Sequence, residues 1–292
     1  MLGLAGIITE ASRMRRKPPK AAAALDPGSL PRDAALDAAQ NLIYDAWEIT
    51  SAKRRIALAR RALALSPLCA DAYVVLAGHA RRGSDEELDL WRRGVEAGKA
   101  AIGPAFDGYA GSFWGYLETR PYMRARCGLA WALWARGVRA EAIDHLHEML
   151  RLNPGDNQGV RYILAAWLVE ADRDDGLAAL FKAYPDEGGA FWTWTRAVAA
   201  FRRSGDSAQS RTLLDRALLD NRHVPAYLLG AKRLPASQPP YYSPGSEDEA
   251  ILYAADHAAG WRRTPGALDW LRARAAPGKA GGREPKGGAR LH

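Results

Sequence analysis

The sequence has only two cysteines in 292 residues, Cys69 and Cys127, and neither sits in a CxxC pair or beside closely spaced histidines. That excludes a disulfide-stapled scaffold and a cysteine-built zinc site, and it reads as free thiols in a reducing, cytoplasmic compartment. Long apolar runs are missing as well. The longest uncharged apolar stretch inside the expected fold is Gly128 to Ala135, far below the roughly 20 residues that cross a bilayer, so no membrane span is expected. The opening MLGLAGIITEASRMRRKPPK places its basic residues after the apolar ones. That order is the reverse of a secretory signal, and residues 1–32 are expected to be a largely disordered N-terminal arm. There is no GxSxG, Walker loop or HExxH. His145 and His147 lie two apart, about 200° around a helix, so they cannot share a metal. The run from Asp172 to Asp175 lacks the later bidentate glutamate of a calcium loop. No metal and no cofactor is expected.

Acidic residues are scarce at the two ends. Residues 1–20 hold five Lys/Arg against one Glu, and 276–292 hold four against one, so the ends supply +7 of the net charge of +8. A specific nucleic-acid footprint on the folded part is therefore not supported, although the basic ends can add weak, salt-sensitive attraction to polyanions. The Gly/Lys-rich stretch 276–292 is expected to be a disordered basic tail.

A 34-residue period is present. Leu146, Leu180 and Leu214 are spaced by 34, as are Ala130, Leu164 and Val198, then Leu133, Trp167 and Phe201, then Gly137, Ala171 and Gly205. That is the length of a tetratricopeptide helical hairpin. Apolar spacing of three and four within each unit gives two amphipathic helices. Upstream, Leu42 and Leu76 continue the step. The pattern predicts an all-α, right-handed solenoid of about six tetratricopeptide-like hairpins, over 33–275.

Ser84 with Glu87, Asp206 with Gln209, and Ser246 with Glu249 read as helix starts, and Thr264 followed by Pro265 reads as another. In NPGDNQGVRYIL, residues 153 to 164, Asn153-Pro154 ends a helix, Gly155 turns the chain and Asp156 or Asn157 caps the next helix. Two interruptions break the period: an aromatic, glycine-rich insert at 98–122 and a proline-rich connector at 230–246.

The first helices of stacked hairpins line the concave side of such arrays. The register aims Arg124, Trp131 and Trp134, then Gln158, Arg161 and Tyr162, then Trp192, Arg196 and Arg202 into that groove. Arginines clamp carboxylates and aromatics supply contact area, so a protein or peptide segment with acidic groups or a free C-terminus is the expected partner. The leading function is a non-catalytic interaction scaffold. A second reading is a regulatory module whose groove is occluded by the 98–122 insert. A third is an enzyme with a polar pocket near His223, Tyr227, Tyr253 and His257 at the last hairpin.

The segments CADAYVVLA (69 to 77), NRHVPAYLLGAK (221 to 232) and EAILYAADHAAGWRRTPGALDWL (249 to 271) carry a further similarity. Through Cys69, Tyr73, Asn221, His223, Tyr227, Glu249, Tyr253, His257 and Trp261 the chain resembles the suppressor of tumorigenicity 7 family. The resemblance implies a helical-repeat protein without an assigned catalytic activity and brings no catalytic residues to this sequence. The family's animal members carry hydrophobic membrane segments that this chain lacks, so a soluble relative of the repeat core is expected.

Overall fold

The structure is a computed structural model in which residues 33–275 are described. The expected arm over 1–32 and tail over 276–292 lie outside the described residues. Within them the chain forms 13 α-helices and no strand. The described part divides into two compact units, the first ending at Glu187 and the second beginning at Gly188.

The first unit contains α1 (Ala34–Glu48) and α2 (Ala52–Leu65), α3 (Ala70–His79) and α4 (Asp85–Ile102), α5 (Arg120–Ala135) and α6 (Arg139–Leu152), and α7 (Val160–Glu170) and α8 (Asp174–Ala183). Each successive pair is a hairpin, and α1, α3 and α5, the first helices of three hairpins, also touch in sequence. The second unit contains α9 (Ala190–Ser204) with α10 (Ala208–Asp220), the short α11 (Val224–Leu228), then α12 (Glu247–Arg263) and α13 (Ala267–Ala275).

The 34-residue period is explained by burial and by turn geometry. Ala130, Leu164, Val198, Leu133, Trp167, Leu146, Leu180 and Leu214 are all buried, so the sequence repeats the residues that each hairpin closes over. Gly83, Gly137 and Gly205 turn three hairpins at positive φ, +76°, +79° and +58°. In the α7–α8 hairpin Ala171 occupies the repeat's glycine site, and the left-handed position moves one residue on to Asp172 at φ +57°. Aspartate tolerates that conformation better than alanine, which accounts for the shift.

Two glycines let helices approach closely. A Cβ on Gly128 of α5 would lie 2.2 Å from the Trp91 ring of α4, and one on Gly98 of α4 would lie 2.9 Å from the Tyr122 backbone. The α4–α5 contact therefore depends on two missing side chains.

The insert is shorter than its sequence suggested, because α4 runs to Ile102 and α5 begins at Arg120. Residues 103–119 wind through four single 3-10 turns. Their rings pack on one another: Phe106 meets Phe113 at 4.9 Å and Tyr122 at 5.1 Å, and Tyr109 meets Tyr116 at 4.5 Å. Phe106, Tyr109, Phe113, Trp114 and Tyr122 are all buried. The aromatic content thus builds local core, and the Gly111 amide ties it to the end of α6 through the Leu152 carbonyl.

The caps follow the sequence at Ser84 and Ser246, whose hydroxyls accept from the amides of Glu87 and Glu249. Two expected starts are corrected. The cap of α10 is Ser207, paired reciprocally with Ser210. Asp206 instead accepts from Arg211 and from the Trp270 indole, which hold its carboxyl down at about 2. Thr264 closes α12: its hydroxyl donates to the Gly260 carbonyl, and Gly266 at φ +78° starts the next turn. The cap position of α7, expected at Asp156 or Asn157, is held by Gly159 at φ +67°, and Asp156 serves the helix start from three residues earlier. Its carboxylate accepts from the amides of Val160 and Arg161 at 2.7 and 2.8 Å, which satisfies two donors at the start of α7.

Candidate functional site

The first helices of unit 1 converge on one buried acid. Asp71, in the first turn of α3, is fully buried among apolar neighbours and would be costly without partners. Arg124 of α5 grips it bidentately, Nε to Oδ1 at 2.8 Å and a terminal nitrogen to Oδ2 at 2.5 Å. Gln40 of α1 donates to Oδ2 at 2.9 Å. The three hairpins are thereby cross-linked through one carboxylate. Arg124 also lies 5.1 Å from the centre of the Trp47 ring.

Beside this clamp the surface opens. Tyr44 of α1 is exposed and its ring meets Trp47 at 5.7 Å. Burial raises the Tyr44 hydroxyl, Asp71 adds to the rise, and Arg124 and Arg120 oppose it, so these groups lie within electrostatic reach. Arg120, one turn before Arg124, donates through Nε to the Trp114 carbonyl at 3.0 Å and lies against that indole. It forms no ion pair among the described residues, although the Glu118 charge lies within electrostatic reach and favours its charged form. Desolvation and then the nearby Arg124 charge lower its pKa. Leu117, next to Glu118 at the edge of the patch, is 60% exposed.

The sequence-derived groove residues are distributed differently from expectation. Arg124 is a buried clamp, because Asp71 lies opposite it, and its guanidinium is not available to a ligand. Trp192 is fully buried in unit 2 and is core. Trp131 is half-buried edge-on to Trp167 at 5.0 Å, and Trp134 stacks on the same ring at 4.4 Å under Arg139. Arg161 and Tyr162 come together, but both engage Glu187, Arg161 at 3.0 Å and the Tyr162 hydroxyl at 2.6 Å. Arg161 also lies 3.4 Å from Asp156 and 4.8 Å from the Tyr184 ring centre. Burial raises the Asp156 carboxyl, against the two amides and the arginine that pull it down. Gln158 is half-buried next to this network, and Arg196 is half-buried on α9 in the other unit.

The four residues suggested for an enzymatic pocket separate into two places in unit 2. Tyr253 and His257 stack at 4.3 Å inside the core, with Phe191 on the imidazole and the Tyr253 hydroxyl accepting from Trp261 at 2.9 Å. Burial holds His257 neutral, with its pKa pushed down to about 3. Tyr227 instead donates to Glu247 at 2.7 Å beside Lys232, and burial with that carboxylate raises its pKa to about 12. Half-buried His223 is the cap residue of α11.

His257 makes acid stability testable. An unfolded histidine titrates near 6.5, and the folded value is depressed, so the unfolded chain takes up the proton first. The stabilisation is fully present above pH 6.5 and is lost as pH falls toward 3. At pH 5 the loss should be about 2 kcal/mol relative to pH 8. Denaturant melts should show His257→Phe flattening this part of the profile; an unchanged slope would exclude the buried imidazole as its source.

Another buried carboxylate organises unit 2. Glu249 accepts from the Ala190 amide at 3.0 Å, the Asn221 side chain at 3.0 Å and the Gly245 amide at 2.7 Å. It therefore joins the start of α9, the end of α10 and the start of α12. Gly189, at φ +73°, has no room for a side chain, because a Cβ there would lie 2.9 Å from the Glu249 carboxylate.

Hairpins closed over a 34-residue burial period, with no strand among the described residues and a buried polar cross-link between first helices, form a helical-repeat-like fold. The chain is similar to the Protein ST7 homolog of Caenorhabditis elegans, 28% identical over 267 residues, an alignment covering 77% of this chain and 48% of that relative. The chain spans about half the length of that relative. No family model matches the chain, and no solved structure matches it.

The residues that carry the resemblance are largely structural. Cys69, Asn221, Glu249, Tyr253, His257 and Trp261 are all buried. The sequence reading missed Tyr44, Trp47, Asp71 and Arg120. The available signal was the single acid in the otherwise apolar ADAYVVLA, which needs a basic partner. No helix among the described residues is long and apolar enough to cross a membrane, and no group of three or more potential metal ligands occurs among them.

Proposed function

We propose that this chain is a non-catalytic interaction module that seats an extended peptide or protein segment against the first helices of unit 1. The surface is the patch of Tyr44, Trp47, Leu117 and Arg120. The observation that carries the reading is the contrast between two arginines one turn apart on α5. Arg124 is consumed by buried Asp71, whereas Arg120 is held against Trp114 and forms no ion pair among the described residues, with Glu118 within electrostatic reach only, beside exposed Tyr44 and Leu117. A guanidinium fixed in this way suits a peptide carboxylate, and the neighbouring rings supply contact area. Trp131, Gln158, Arg161 and Tyr162 belong to the same unit but lie outside this patch, Trp131 against Trp167 and Arg161 with Tyr162 on Glu187.

Selection of a displayed random-peptide library on the immobilised full chain tests this. Enriched peptides should carry an acidic side chain or need a free C-terminus, and Arg120→Ala should weaken them about tenfold or more, the scale of a lost charged contact. Enriched peptides indifferent to Arg120→Ala and Tyr44→Ala would exclude this face as the binding surface.

A further inference from the structure

The outer helix of the first hairpin is charged in a way that folding does not explain. The sequence of α2, AKRRIALARRALAL, has five cations, and no acid occurs from Ile49 to Cys69. Lys53, Arg54, Arg60 and Arg61 are exposed, and none has an ion-pair partner among the described residues. Other helices pair their arginines locally, as in Arg93 with Asp89, Arg151 with Glu148, Arg211 with Asp206 and Arg272 with Asp269.

Placement makes the contrast sharper. Lys53, Arg54 and Arg55 occupy the start of α2, where the helix dipole and unsatisfied amides favour negative charge, and the first turn contains no acid. Ser51 supplies no side-chain cap there. Arg55 is half-buried and donates through Nε to the Ile49 carbonyl, but exposed Lys53 and Arg54 oppose stability at a helix N-terminus, so their presence points to something outside the fold.

The exposed face repeats its charge at 53 and 60 and at 54 and 61, two turns or roughly 10 Å apart. Between them the only exposed residue is Ala57, and beyond them the face ends in Ala64 and in Leu65, exposed at 49%. No aromatic ring, Asn or Gln occurs in α2 that could stack on a base or read its edge.

We propose that the outward face of α2 is a docking surface for an anionic phospholipid bilayer. Four cations with no ion-pair partner among the described residues lie parallel to the headgroups, and Leu65 at their edge enters the acyl boundary. Clustered Lys/Arg on a helix attract anionic headgroups, and apolar insertion has no counterpart on a nucleic-acid backbone, which favours lipid as the polyanion.

The test is co-sedimentation of the full-length chain with phosphatidylcholine vesicles prepared with and without phosphatidylglycerol, alongside binding to a random-sequence DNA duplex. Binding only to the anionic vesicles, weakening as salt rises, is expected. The combined variant Lys53→Gln, Arg54→Gln, Arg60→Gln, Arg61→Gln should lose about a hundredfold or more in vesicle affinity. Its thermal melt should be no lower than wild type, because an unfavourable charge–dipole arrangement is removed. If that variant melts low, Lys53→Glu with Arg54→Glu gives the same reading while complementing the dipole. Vesicle affinity that is unchanged in these variants, or stronger binding to the duplex than to anionic vesicles, overturns the proposal.

Discussion

Arg124→Ala should destabilise unit 1 by about 3–5 kcal/mol, the cost of leaving a buried charge unpaired. Asp71 has no solvent exposure, and two of its three side-chain hydrogen bonds come from Arg124. Gln40 alone cannot compensate a buried carboxylate, so the acid must protonate or the hairpins must separate. Arg124→Lys should be intermediate, because a lysine keeps the charge but cannot form the two-pronged contact. The double variant Asp71→Ala with Arg124→Ala should recover part of the loss, since no charge is then stranded. Denaturant melts of the four proteins measure this. A loss below about 1 kcal/mol for Arg124→Ala would mean that the cross-link contributes no more than an exposed surface pair.

Gly128→Ala is expected to lower stability by about 1–3 kcal/mol although it improves helix propensity. The added methyl would lie 2.2 Å from the Trp91 ring, well inside contact distance, and Trp91 is buried and cannot swing out. Either α4 and α5 move apart or the indole leaves its rotamer. A drop of about 2–4 °C in the melting temperature per kcal/mol is expected for a domain of this size. Trp91→Leu should reverse the sign of the alanine effect by vacating the colliding atoms. A melt of Gly128→Ala at or above wild type would show that helix propensity outweighs the close approach.

The hairpins were legible because burial repeats at the same interval as the chain turns back. Ala130, Leu164 and Val198 needed no knowledge of the partner helix, only of the period. The direction of individual polar side chains was not legible. Arg120 and Arg124 are four apart on one helix and chemically identical, and only the position of Asp71, 53 residues before Arg124, decides that one is buried and the other left open. The same holds for Arg161, which the register aimed into the groove but which Glu187 and Asp156 hold inside unit 1. The packing of the insert was not legible for a different reason. Its glycines and aromatics carry no helical period, and only the fold shows that Phe106 and Phe113 pack on Tyr122 of α5.

The central claim is that the Tyr44 and Arg120 face of unit 1 receives the partner. It is tested most directly by placing a photo-reactive phenylalanine at position 44, with a control at exposed position 182 on α8, and irradiating in the presence of a library-selected peptide. The account predicts a discrete adduct from position 44, absent from position 182 and lost when Arg120→Ala is introduced. Equal adducts from both positions, or an adduct at 44 indifferent to Arg120→Ala, would contradict it.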